Sequence, residues 1–241
     1  MQLKAINQIT GQIQLITGLH IGAGNEEVHI GGIDNGVIKH PHTQQPYIPG
    51  SSLKGKMRSL LEWRAGLVGF TDGDPVKIEH LAKLPDAQKQ HAEIIIRLFG
   101  NAGDAKNNAD KVAELGITRL SFWDCGLHTD WLKKIDKNNW LYTEAKSENI
   151  IDRIRGTAEH PRQTERVPAD AIFDFKLGMK ILADHEHAFI DTVLAGLKLL
   201  ELDGIGGSGS RGYGKIKFTH LQLNGEDLQA RLDAVEPFKA A

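Results

Sequence analysis

Phe173, Phe175, Leu177, Met179 and Ile181 stand at every second position, with Asp174, Lys176, Gly178 and Lys180 between them. A period of two over that length describes a strand with one face buried and one face wet. After it, Phe189, Ile190, Val193, Leu194, Leu197 and Leu200 fall on one face of a helix predicted from about Glu186 to Leu202. Gly204 to Gly214 is a glycine-rich loop, and Ile216, Phe218, Leu221 and Leu223 form a closing strand. In the first half of the chain, residues 8–21 read as a strand and Gly22 to Gly36 as a loop. A short strand, Val37–Ile38, and a turn at Pro41–Pro46 come next. A helix opens at Pro49-Gly50-Ser51-Ser52, with serine as its N-cap and Leu53, Met57, Leu60 and Leu61 as its apolar stripe. Arg119 to Cys125 is a further strand. The order strand, helix, strand, strand, helix, strand predicts an α+β, ferredoxin-like core.

The chain has 241 residues, 40% hydrophobic and 25% charged. It reads as a single domain over 1–241, with core segments at about 6–67, 117–125 and 171–224. Residues 69–116 read as an insertion with one amphipathic helix near 86–99 and a mobile loop near 101–110. Residues 126–150 read as an irregular connector, 151–170 as a charged segment, and the tail after Asp233 as unstructured. No apolar run approaches the eighteen residues of a membrane span. The N-terminus has no signal-peptide core, and Cys125 is the only cysteine. A cytoplasmic protein without disulfides or a cysteine-rich zinc site is expected. Net charge is −2, which excludes a uniformly basic nucleic-acid binder but not a local basic stripe.

Three motifs mislead. Gly50-Ser-Ser-Leu-Lys-Gly55-Lys56-Met57 follows the phosphate-loop pattern until Met57, where a magnesium-binding Ser or Thr belongs. Gly204-Ile-Gly206-Gly-Ser-Gly209 matches the dinucleotide pattern, but a helix precedes it and a strand follows, the reverse of that fold. Asp184-His185-Glu186-His187 suggests a metal cluster but offers no third or fourth ligand. It reads as an acidic start to the helix.

Four features carry chemistry. Lys54 and Arg58 are four apart and share a helix face near the amides of Ser51, Ser52 and Leu53. Together these make a phosphate site, or else a solvated basic face. Gly206-Gly-Ser-Gly-Ser-Arg-Gly-Tyr-Gly-Lys215 leaves successive amides open to an anion, with Arg211 as a forked cation. Tyr213 either stacks a base or fills the core. Arg153, Arg155, Arg162 and Arg166 alternate with acids, as in an exposed salt-bridged loop or in a projecting hairpin that grips nucleic acid. Asp34 sits among glycines, as a turn residue or an exposed catalytic carboxylate.

These clusters, in this order, resemble the RAMP superfamily of CRISPR proteins, and more narrowly the repeating backbone subunit of type III-A (Csm) effector complexes. The resemblance rests on HIGAG at 20–24, GGIDNGVIKHP at 31–41, YIPGSSLKGKMRSLLE at 47–62, RIRGTAEHPRQTERVPADAIF at 153–173 and GIGGSGSRGYGKIKF at 204–218. It implies a modified ferredoxin-like, RRM-related core whose copies stack along a guide crRNA with other complex subunits. The guide is held by its backbone, so that base pairing reads the sequence. It implies a thumb-like hairpin, here 155–168, that interrupts the guide–target duplex. Asp34 matches the aspartate that cuts complementary target RNA with Mg²⁺ or another divalent metal. His20, Ser51, Ser52, Lys54, Arg58, Gly207, Ser208, Gly209, Ser210 and Arg211 match guide-RNA contacts, and Arg155, Arg162 and Arg166 lie on the hairpin. The turn reads Asp34-Asn35-Gly36, where related sequences often read Asp-Ser-Pro. A non-catalytic RNA scaffold and a guide-precursor-processing endoribonuclease, with His20 as base, are the alternatives.

Overall fold

A computed structural model describes residues 2–23, 35–101 and 109–239. Asp34, and most of the loop expected near 101–110, lie outside the described residues. The first strand, β1 (Ala5–Leu15), starts earlier and ends sooner than the alternation suggests. Residues 16–23 form no regular strand; Leu19 and Gly22 make single bridges to Val167 and Val37. The expected strand at Val37–Ile38 is likewise a set of isolated bridges.

Helix α1 (Gly50–Arg64) buries Leu53, Met57 and Leu61. Its N-cap is Pro49 and not a serine, and no side chain caps it in the usual way. Asp124 instead accepts the Gly50 amide at 2.7 Å. The following segment contains two 3-10 turns, α2 (Asp86–Phe99) and α3 (Ala109–Leu115). Val76, Ile78, Ile95, Ile96 and Phe99 are buried in the same core as the sheet, so the segment is packed onto the fold.

Strand β2 is short, Leu120–Phe122. The region expected as an irregular connector is ordered: α4 (Thr129–Asn138) buries Trp131 and Ile135. His128 caps its start, and left-handed Asn139 ends it. Strands β3 (Glu144–Ile151) and β4 (Ala158–Arg166) then pair as a separate antiparallel hairpin. The hairpin therefore begins seven residues before the expected 151.

Strand β5 (Ile172–Ile181) buries all five alternating apolar residues. A 3-10 turn over Asp184–Ala188 leads into α5 (Phe189–Asp203), and β6 (Ile216–Leu223), β7 (Glu226–Asp227) and α6 (Gln229–Asp233) complete the chain. Val235 packs against the core, so the tail is anchored beyond Asp233. The main sheet runs β2-β5-β1-β6-β7, with every pairing antiparallel. Its first four strands have the ferredoxin-like order. Helices α1 and α5 pack closely where Gly196 meets Met57 and Leu61. Within the suspected metal motif, Glu186 is buried against Arg119 at 2.6 Å, a structural ion pair. Burial pushes the Cys125 thiol up to about 12, which leaves it protonated and unreactive.

Candidate nucleic-acid interface

Four irregular pieces meet where the hairpin joins the sheet: residues 18–22, residues 35–39, the end of β4 and the glycine loop after α5. Sterics dictate the loop. Gly206 (φ 74°) and Gly214 (φ 69°) have left-handed backbones, and a Cβ on either would collide with the carbonyl of His20 or of Ile205. The loop therefore lies directly on His20, whose carbonyl accepts the Gly207 amide at 2.9 Å.

Several loop amides are already used. Arg211 donates to the Ser208 carbonyl at 2.9 Å and Gly212 to the Gly209 carbonyl at 3.1 Å. The amides of Ser208, Gly209 and Ser210 find no acceptor among the described residues. Ser208 is left-handed (φ 61°) and the next residues turn right-handed. That geometry points successive N–H groups into one concavity, which suits an anion. A side chain at Gly209 would meet nothing within 4 Å, so the outer lip is open.

Arg211 is half exposed and bonds both Glu148, at 3.0 Å, and the Ser208 hydroxyl, at 2.5 Å. Glu148 also accepts the Tyr213 hydroxyl at 3.0 Å and pairs with Lys146 at 3.2 Å. Tyr213 is fully buried, with Lys146 4.3 Å from its ring centroid. It fills the core and is closed to base stacking. Burial raises the Glu148 carboxyl, but Tyr213, Lys146 and Arg211 outweigh it and hold the pKa below the ordinary 4.5. These contacts stitch β3 to the glycine loop.

The five cations that the hairpin and helix α1 were expected to supply divide. Lys54 is half-buried and has no carboxylate partner among the described residues. Arg58 is committed internally: it bonds Glu62 at 2.8 Å, the Gly100 carbonyl at 3.1 Å and the Val76 carbonyl at 2.6 Å. It pins the 69–101 segment to α1, so its guanidinium is engaged inside the fold where Lys54 has no such partner. On the hairpin, Arg162 is exposed and unpaired among the described residues, and Arg155 is exposed with Asp152 and Glu159 3.9 and 4.0 Å away. Arg166 lies at the base, held by Glu144 at 2.7 Å and 5.2 Å from the Tyr213 ring.

The amides at the start of α1 are less available than expected. Ser52 and Leu53 both donate to the Pro49 carbonyl, at 3.0 and 3.3 Å. Ser51 is exposed there and Ser52 half-buried. Lys56 pairs with Asp203 at 2.5 Å.

His20 Nδ1 lies 2.7 Å from the Glu165 carbonyl. A carbonyl only accepts, so Nδ1 carries the proton and Nε2 is the remaining nitrogen. Glu165 is a centre that the sequence did not mark out. Its carboxylate accepts Lys39 at 2.5 Å, Thr143 at 2.6 Å and the Val37 amide at 2.9 Å. Its own amide donates to the Asn35 carbonyl at 3.0 Å. Burial raises its carboxyl, but Lys39, Thr143 and Val37 reverse that and leave the pKa below 4.5.

Residues 12–217 match the RAMP superfamily profile. The chain is 43% identical over 219 residues to the CRISPR system Cms endoribonuclease Csm3 of Streptococcus thermophilus, covering 89% of this chain and 88% of that one. Among solved structures it is similar to one described as a Csm3-Csm4 subcomplex in the type III-A CRISPR-Cas interference complex. The TM-score is 0.52 and the identity 27%, over 92% of this chain and 80% of that one. Methanopyrus kandleri Csm3 shares the fold, with TM-score 0.59 and 23% identity over 92% of this chain and 78% of that one. Strand order, glycine loop, hairpin and these matches lead to one conclusion: the chain belongs to the RAMP superfamily and, within it, to the Csm3 subunits of type III-A CRISPR complexes.

Proposed function

We propose that this chain is the filament subunit that holds guide crRNA in a type III-A complex and cuts complementary target RNA at regular intervals. It acts in the cytoplasm beside further copies of itself and other subunits. Among the described residues no helix is long and apolar enough to cross a membrane. One observation carries the reading: the open amide concavity, the projecting hairpin and the segment that follows Asp34 converge on one place. The Ser208–Ser210 amides beside Arg211 suit a sugar-phosphate chain, whose recognition needs no base contact, and Lys54 on α1 offers a further cation without a carboxylate partner among the described residues. At the hairpin tip Ile154 is 97% exposed between Arg153 and Arg155. An aliphatic wedge flanked by cations suits separation of adjacent base steps.

Asp34 is the proposed catalytic residue and the one that would hold a divalent ion. No group of three or more metal-ligating side chains occurs among the described residues, and both Glu165 oxygens are already taken. A lone carboxylate fits a hydrated Mg²⁺ that shares RNA phosphate. When bound, the ion supplies charge stabilisation at the phosphate. The protein orients the strand by holding the backbone and excluding one nucleotide from the stack.

In an assembled complex, Asp34→Ala is expected to abolish cutting at the regular sites and leave target binding intact. Unchanged cutting would leave a non-catalytic scaffold.

A further inference from the structure

Residues 35–39 lack a helix or strand of their own. They touch the rest of the fold through single bridges, Asn35 to Thr164, Val37 to Gly22 and Lys39 to Pro46. Two backbone bonds, Ile38 to the Ile21 carbonyl at 2.9 Å and Ala23 to the Gly36 carbonyl at 3.3 Å, hold its middle; with so few restraints of its own, its position also depends on groups that reach it from elsewhere. Three groups of that segment converge on one residue far along the chain: the Asn35 carbonyl takes the Glu165 amide, and the Val37 amide and Lys39 ammonium both reach the Glu165 carboxylate. Thr143, just before β3, donates to the same carboxylate, and His20 to the same residue's carbonyl. The Glu165 side chain is 9% exposed.

We propose that Glu165 is a positioning residue for RNA cleavage, clamping residues 35–39 to the hairpin base so that the chain leaving Asp34 starts from a fixed anchor. The inference rests on the reading of Asp34 as the catalytic residue. Glu165 itself is not placed to ligate a metal or take a proton, because Lys39, Thr143 and Val37 already occupy its oxygens. Its contribution is geometric. It also ties three parts together: the segment after Asp34, the hairpin, and His20 beneath the glycine loop. A loosened anchor costs rate because reacting groups must be held in an attack geometry before the step, and a displacement of about 1 Å can cost ~10²-fold.

The test uses assembled complexes with guide, saturating target RNA and Mg²⁺, and reads single-turnover cleavage beside guide occupancy and target Kd. Glu165→Gln keeps one acceptor for Val37 but loses the charge that holds Lys39. It is expected to slow cleavage by about 10-fold to 10²-fold with occupancy and Kd unchanged. Lys39→Met and Thr143→Val, which remove outer partners only, are expected to slow it less. Glu165→Gln combined with Lys39→Met should be no slower than Glu165→Gln alone, because both break one clamp; a merely structural role would instead lower guide occupancy or weaken target Kd along with the rate. If Glu165→Gln does not assemble, the Lys39 and Thr143 variants decide. Cleavage within twofold of the parent in the assembled Glu165, Lys39 and Thr143 variants, while Asp34→Ala is inactive, overturns the clamp. Full activity in Asp34→Ala overturns the reading beneath it, and the clamp with it.

Discussion

Lys54 and Arg58 are one helical turn apart and carry the same charge, yet they do different work. Arg58 spends its guanidinium on Glu62 and two backbone carbonyls; Lys54 has no ion pair among the described residues. Counterion release scales with the phosphates a protein neutralises. Lys54→Ala is therefore expected to flatten the salt dependence of single-stranded RNA binding by about one unit in a log–log plot. Arg58→Ala is expected to leave that slope alone and to destabilise the fold by roughly 3–5 kcal/mol, the cost of orphaning one partner of a buried pair. Anisotropy titrations in salt and thermal melts separate the two. Equal changes in slope would return Arg58 to the interface.

At the scale of the element, the β3–β4 hairpin is a two-stranded ribbon outside the main sheet, and such ribbons are marginal unless braced. Here Glu148, midway along β3, braces the ribbon against Tyr213 and Arg211 of the glycine loop, and at the base Arg166 lies over the Tyr213 ring while its bond to Glu144 ties the two strands together. The tip turn is held by Asp152, which accepts the Ile154 and Arg155 amides at 2.8 and 3.1 Å. A rigid base and an apolar tip suit mechanical separation of stacked bases. Ile154→Asp is expected to blur the regular spacing of target fragments on a sequencing gel while guide binding persists. A sharp, unchanged ladder would show that the tip does not enter the duplex.

For the whole molecule, three carboxylates act as internal ties: Glu148 between hairpin and glycine loop, Glu165 between hairpin and residues 35–39, and Glu186 with Arg119 beneath β5. Each has a folded pKa below the ordinary glutamate value of 4.5. Their stabilisation is fully present above that value, where the carboxylates are charged in both folded and unfolded chains. It is lost as pH falls through the folded values, since the unfolded chain takes up protons first. Melting temperature is thus expected to be nearly flat from pH 8 to about 5.5, roughly one unit above the unfolded pKa, and to fall below about 4.5. The Glu165→Gln chain should show a shallower fall, and an identical profile would mean that Glu165 is not ionised in the fold.

The sequence by itself determined the layers. Alternation in β5 and the stripes of α1 and α5 are local, because burying one face imposes a period of two or 3.6 on neighbouring residues. The glycine loop was legible because its residues are consecutive, and the family because its motifs are. The β3 strand was not, since both of its faces are largely wet and no apolar alternation marks it. Helix α4 carries no long apolar stripe to mark it, since only Trp131 and Ile135 are buried along it. Only the tertiary structure decided which charges are spent and which are open. Glu62 lay within reach of a sequence reading of Arg58, at four residues' spacing, but the Gly100 and Val76 carbonyls did not. Glu165 meets Val37 across 128 residues, and no local pattern records a partner brought close only by folding.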